Sequence, residues 1–278
     1  MNGLLGREAN LKYAASLALA FGGALLFALP LLMTMEMWWL GHSMDRARLL
    51  VFLLATLPML LGLSYYAGFE PAFRLAHEVL DALAAFAVGV TLSAAALLVL
   101  GQLTVGMSLD EVVGKLTVCA IPASIGALVA GKQFGGGNED DGGRQKAHLG
   151  EAGRLFVMAV GAVFLAFNVA PTEEMVLIAY AMSPWHGLAL MTVSLLLLHA
   201  ILYTLGFPGQ DERRGARRPL HSLLASSIPG YAVALTISLF CLWAFGRLDG
   251  VAATEAARMT VVLGFPAALG AATARLVI

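Results

Sequence analysis

Eight apolar runs, each long enough to cross a bilayer as a helix, decide what this chain can fold into. They fall at 13–40, 49–69, 78–101, 110–131, 154–182, 186–206, 221–246 and 254–276. About 20 apolar residues in helical form fill a hydrocarbon core. Inside that core every backbone polar group must be satisfied within the protein, which leaves only helices or closed barrels. Barrel strands require short alternating segments, and these runs do not alternate. Charged residues make up 13% of the chain, about half the ~25% of a soluble domain. The expected fold is therefore all-α, a polytopic membrane protein with eight transmembrane helices.

The first run follows Arg7 and Lys12, as a secretory signal would. At 28 residues it far exceeds the roughly 7–15-residue core of a signal peptide, and a copy of it recurs mid-chain. It reads as a retained helix. With eight spans both termini share one side. That side would carry twelve basic residues against five on the other (Arg46, Arg48, Lys115, Arg247 and Arg258). The positive-inside rule then puts both termini in the cytoplasm. The opposite face carries an excess of acid, which would concentrate cations.

The runs also repeat. At an offset of 138, Gly23, Ala24, Ala28, Thr34, Glu36, Met37, Tyr65, Gly68 and Phe69 fall on Gly161, Ala162, Ala166, Thr172, Glu174, Met175, Tyr203, Gly206 and Phe207. At 145, Thr91, Ser93 and Gly101 meet Thr236, Ser238 and Gly246; at 144, Glu111, Pro122 and Gly126 meet Glu255, Pro266 and Gly270. Four-helix repeats have an even number of spans, so the copies would be parallel, related by a pseudo-two-fold axis along the membrane normal. The expected organisation is 1–131, a glycine-rich cytoplasmic linker at 132–150, and 151–278. Gly126 with Ala130, and Gly270 with Ala274, are small-residue pairs suited to close helix packing. Pro122 and Pro266 would kink their helices at equivalent depths.

The strongest chemical signal is Thr34-Met-Glu36-Met and its counterpart Thr172-Glu173-Glu174-Met175. A carboxylate in a transmembrane helix centre costs about 2.5–3.5 kcal/mol on insertion scales and reads by default as functional. Neighbouring helix positions point about 100° apart, so Glu174, which repeats, is the primary residue of its pair and Glu173 the auxiliary. Two facing carboxylates, with Thr34, Thr172 and freed carbonyls, suit a hard cation such as Ca²⁺; Glu36 and Glu174 would be its ligands. Two close carboxylates equally suit a shared proton. Glu111 and Glu255 repeat at the outer starts of the fourth and eighth helices, as an outer cation entrance or as acids favoured by the helix dipole. Glu78 and Asp81 form either a snorkelling pair or an inner exit. The six histidines show no metal-ligand spacing; His199, which replaces Leu61, could hydrogen-bond a neighbour or relay protons.

Several classes are disfavoured. A net charge of −1 lacks the electrostatic footprint of a nucleic-acid partner. Cys119 and Cys241 lie inside apolar runs and form no metal or disulfide framework. No nucleotide-binding Gly-Lys-Ser/Thr loop, HExxH or GxSxG occurs, so no cofactor and no enzyme are expected. An intramembrane enzyme on lipid or quinone stays open, although no nucleophile–base pair is visible.

The stretch from Gly22 to Gly41 with its Thr-Met-Glu-Met-Trp-Trp element, together with Leu-Gly-Leu-Ser-Tyr-Tyr-Ala-Gly-Phe69, resembles an uncharacterised bacterial family of eight-span integral membrane proteins. The resemblance implies eight spans and an inner-membrane setting and brings no activity. The functional expectation is a cation channel or transporter, divalent and most simply for Ca²⁺, using Glu36 and Glu174 near the pseudo-two-fold axis. The alternatives are a proton-coupled transporter or proton channel, and a non-transporting scaffold or sensor. Expected partners are the lipid bilayer and an inorganic cation, with a homo-oligomer open.

Overall fold

The computed structural model describes residues 2–67, 75–134, 150–204 and 223–277. Among these the secondary structure is helical throughout. The order is α1 (Asn2–Leu32), α2 (Met35–Ser43), α3 (Arg46–Ala67), α4 (Leu75–Val99), α5 (Leu109–Phe134), α6 (Glu151–Val169), α7 (Glu173–Ala181), α8 (Pro184–Thr204), a π-helical turn at Leu223–Ser227, α9 (Ile228–Ala244) and α10 (Ala253–Val277). Among the described residues, eight helices are long and apolar enough to span a bilayer. The glycine-rich 132–150 segment lies mostly outside the described residues.

Six of the expected spans coincide with single long helices. The first and fifth do not, because each runs on into a separate short helix. α1 ends at Leu32 and α2 starts at Met35; α6 ends at Val169 and α7 starts at Glu173. Pro30 is not the cause. It lies inside α1, and its counterpart 138 residues on is Asn168, yet both helices stop at the same place. What recurs is a threonine. The Thr34 hydroxyl donates to the Leu31 carbonyl at 2.8 Å and the Thr172 hydroxyl to Val169 at 2.8 Å. Their backbone N–H groups bond the same two carbonyls. Short polar side chains that bond nearby backbone offer the chain an alternative to continuing a helix. Pro122 and Pro266 lie at corresponding places inside α5 and α10.

The chain forms two compact units, one of Met1–Ser43 with Leu49–Glu139, the other of Met44–Arg48 with Asp140–Ile278. In the first, α5 is the central post: 78% of its span is buried, and α1, α2 and α4 pack on it. Gly23 of α1 meets Gly126 of α5 so closely that a methyl on Gly23 would lie 2.6 Å from the Gly126 carbonyl oxygen. In the second unit α10 takes that place, contacted by α6, α7, α8 and α9. There Gly161 of α6 meets Gly270 of α10, and a methyl on either would collide with the other's carbonyl. Only glycine permits this approach of two backbones.

Local capping fixes the helix starts. The Asp45 carboxylate accepts the N–H groups of Ala47 and Arg48 at 3.0 and 3.1 Å, an N-cap for α3. Ser108 accepts the Glu111 N–H at 3.2 Å, so Ser108-Leu-Asp-Glu111 has the spacing of a capping box at the head of α5. Two helix ends use glycine in the left-handed region. Gly101 (φ +69°) ends α4 and Gly246 (φ +70°) ends α9. Each is followed by an N–H that reaches back five residues: Gln102 to Leu97 at 2.8 Å and Arg247 to Leu242 at 2.9 Å. This is the Schellman closure of a helix C-terminus.

Candidate functional site

The helix breaks put the two principal acids in equivalent local settings. Glu36 lies in the first turn of α2; Glu173 and Glu174 occupy the first turn of α7. Both helices have nine residues, about 13 Å at 1.5 Å per residue, too short to span. The acids therefore sit just beyond the ends of the candidate spans Ala14–Leu32 and Glu151–Val169. Glu36 is half-buried, and Glu173 and Glu174 are exposed. No side-chain hydrogen bond or ion pair engages any of the three among the described residues. Large apolar side chains around them are also exposed, Met33, Met35 and Trp39 beside Glu36, and Leu177, Ile178, Tyr180 and Trp185 on and after α7. Tryptophan and tyrosine favour the membrane–water interface, which gives these short helices an interfacial character.

The carbonyls freed at the breaks are bonded differently in the two units. In the first, the Trp38 indole N–H donates to the Leu32 carbonyl at 2.8 Å. In the second, the Arg247 guanidinium donates to the Pro171 carbonyl. Arg247 Nε is buried with no hydrogen-bond partner among the described residues. Thr34 and Thr172 use their hydroxyl hydrogens on backbone; their oxygen lone pairs stay available.

Glu111 and Glu255 are engaged. Glu111 pairs with Lys115 at 2.9 Å, and His42 lies 3.9 Å from its other oxygen. Lys115 is only 6% exposed, and its ammonium also donates to the Gln102 carbonyl at 3.2 Å. It is thus buried inside the first unit. The Glu255 carboxylate accepts from the Thr254 hydroxyl and lies 3.9 Å from Arg258. Asp249, in the turn between α9 and α10, forms a two-pronged pair with Arg48 at 2.7 and 2.8 Å, and that guanidinium holds the Asp249 carboxyl below its usual range. Arg48 also stacks over Trp243 at 5.5 Å.

On the expected cytoplasmic side, Glu78 is 7% exposed and accepts from the Ser64 hydroxyl at 2.7 Å. Its carboxylate is thus buried against α3. Asp81, one turn on, is half-buried. In the second unit the neighbouring long helices are tied by other residues: His199 Nδ1 lies 2.8 Å from the Ser227 hydroxyl, at the end of the π turn, and Tyr203 stacks on the imidazole. This serine–histidine contact spans 28 residues of sequence, so spacing gave no sign of it. Ser227 is fully buried, which suits a helix tie rather than a nucleophile. Among the described residues, no three His, Cys, Asp or Glu side chains converge as a metal-ligand set.

Helices of this length and apolarity, packed through glycine contacts and leaving most of α8 uncovered, define a polytopic α-helical membrane protein. Residues 16–278 match the model of the integral membrane protein family DUF2391, and the chain belongs to that family. No match was found among curated proteins or solved structures.

Proposed function

We propose that this protein moves cations across the bacterial inner membrane, as a channel or transporter, with a divalent ion such as Ca²⁺ the leading cargo. Glu36 and Glu174 are the ion-handling carboxylates, assisted by Glu173 and by the oxygens of Thr34 and Thr172. One observation carries this reading: each unit interrupts a long apolar helix and places, in the next turn, a carboxylate without a side-chain partner among the described residues. Interrupted helices are where transporters expose backbone carbonyls and helix ends to ions. A carboxylate kept there unneutralised invites a cation. A scaffold that used these glutamates to bridge helices would pair them with basic or hydroxyl side chains, and none engages them among the described residues.

A second reading, proton coupling, is favoured by Glu78, a buried carboxyl in a long apolar helix whose side-chain partner is the Ser64 hydroxyl. The deciding experiment is flux of Ca²⁺, Na⁺, K⁺ and H⁺ in proteoliposomes. Wild-type protein should pass Ca²⁺, and the Glu36→Gln/Glu174→Gln double variant should lose at least about 90% of it, a tenfold change or ~1.4 kcal/mol in the barrier. Undiminished Ca²⁺ flux in the folded double variant removes the proposal; H⁺ flux abolished by Glu78→Gln selects the second reading.

A further inference from the structure

We propose that Arg247 is a tethered counter-cation for the break in the second unit, so the two breaks have diverged: at Glu36 the first relies wholly on a free cation, while at Glu174 the second has part of its positive charge supplied by the chain's own guanidinium. The inference rests on the cation-handling reading of the breaks and adds a division of labour to it.

The backbone that presents Arg247 has a counterpart in the first unit. Gly246 and Gly101 turn with nearly the same positive φ, and the next residue, Arg247 or Gln102, closes the same five-residue hydrogen bond. What differs is the side chain, neutral in one case and cationic in the other. Arg247 spends its guanidinium on the Pro171 carbonyl, between the end of α6 and the start of α7. The C-terminal end of a helix carries partial negative charge, and Glu173 and Glu174 follow within three residues. A guanidinium on a carbonyl there does what a bound metal ion would do: it supplies positive charge and satisfies an oxygen.

Two further observations separate this from an ordinary surface arginine. No carboxylate pairs with Arg247 among the described residues, whereas the buried cation of the first unit, Lys115, is neutralised by Glu111 at 2.9 Å. The Arg247 charge is therefore not cancelled by an adjoining partner. In addition, its Nε is buried without a hydrogen bond, a desolvation cost that a merely capping residue could avoid. The first break is closed by the uncharged Trp38 indole, which leaves Glu36 without a countercharge of this kind.

The test is chemical rescue of full-length protein. Arg247→Ala should melt below wild type, and guanidinium chloride or CaCl₂ at low millimolar concentration should restore most of the loss, while choline chloride should not. Wild type and Arg247→Lys, which keep the charge, should show no guanidinium-dependent rise. In flux, Glu36→Gln should be several-fold more damaging than Glu174→Gln. If Arg247→Ala does not accumulate as folded protein, Gln102→Arg provides the reverse experiment: a cation added to the first unit's turn should cut Ca²⁺ flux at least about tenfold. A folded Arg247→Ala indifferent to guanidinium and Ca²⁺, or a Gln102→Arg with unchanged flux, overturns the assignment. Guanidinium rescue in a protein that passes no Ca²⁺ would remove the transport reading and leave the role of Arg247 standing. Glu36-dependent flux without rescue would do the opposite.

Discussion

Lys115 sits almost wholly inside the first unit, and the residues around it explain how a helix of a membrane protein tolerates an ammonium there. Glu111 lies one turn earlier at 2.9 Å, and the Gln102 carbonyl receives a second N–H. Breaking a buried pair from one side leaves a charge uncompensated, whereas replacing both partners by apolar or neutral groups is often tolerated. The second unit has Met259 at the position 144 residues on from Lys115, so methionine is a natural replacement. Glu111→Gln is therefore expected to lower the melting temperature clearly, and Glu111→Gln/Lys115→Met to recover most of it in a double-mutant cycle. A double variant no better than the single would mean that Lys115 does not depend on Glu111. Legibility at this scale was uneven. The Glu111 dipole position and its capping-box spacing were readable from Ser108-Leu-Asp-Glu111. The Ser64–Glu78, Arg48–Asp249 and Arg247–Pro171 contacts were not, because they join residues whose separation is set by packing and carries no periodic signal.

At the scale of elements, apolar run length alone located six spans to within a few residues, since hydrocarbon thickness fixes helix length. It failed at the first and fifth, where apolar character continues past the point at which helical hydrogen bonding stops. The signal was present in the threonines: a Thr followed by acid in the next turn is a helix-start pattern, and it recurs at Thr34 and Thr172. Apolarity masked it. The helix ends were more plainly written, in Gly101 and Gly246. Alanine at either must adopt a left-handed backbone, at a cost of about 1–2 kcal/mol. Gly101 has open space for a methyl group, while one on Gly246 would meet the Arg48 guanidinium at 3.3 Å. Gly101→Ala should thus show the backbone cost alone, and Gly246→Ala should be the more destabilised of the two in thermal melts. Equal losses would argue that the Arg48 guanidinium yields freely.

For the whole molecule, the number of crossings matters more than any single contact. α2 and α7 are too short to cross, so the long helices number eight among the described residues, and an even number returns the chain to its starting side. With the basic residues distributed as they are in the sequence, fusions of a cytoplasm-active reporter at either end should be active, and periplasm-active reporters at either end silent. Opposite results at the two ends would mean that one long helix lies on the membrane or doubles back. The class and family of the protein were legible from eight apolar runs and one distinctive element; the local setting of Glu36, Glu173 and Glu174 was less so, because it comes from helix breaks that composition does not mark.

Gly41 gives α2 an unusual vulnerability. It rests directly on the Lys115 backbone, where an added methyl would stand 2.5 Å from Cα, and five residues upstream on the same short rod sits Glu36. Enlarging residue 41 by one carbon would therefore act as a wedge, levering that rod off its post and moving the carboxylate while leaving its chemistry intact. Position and charge at this acid can thus be varied independently, one by a glycine and the other by a glutamine.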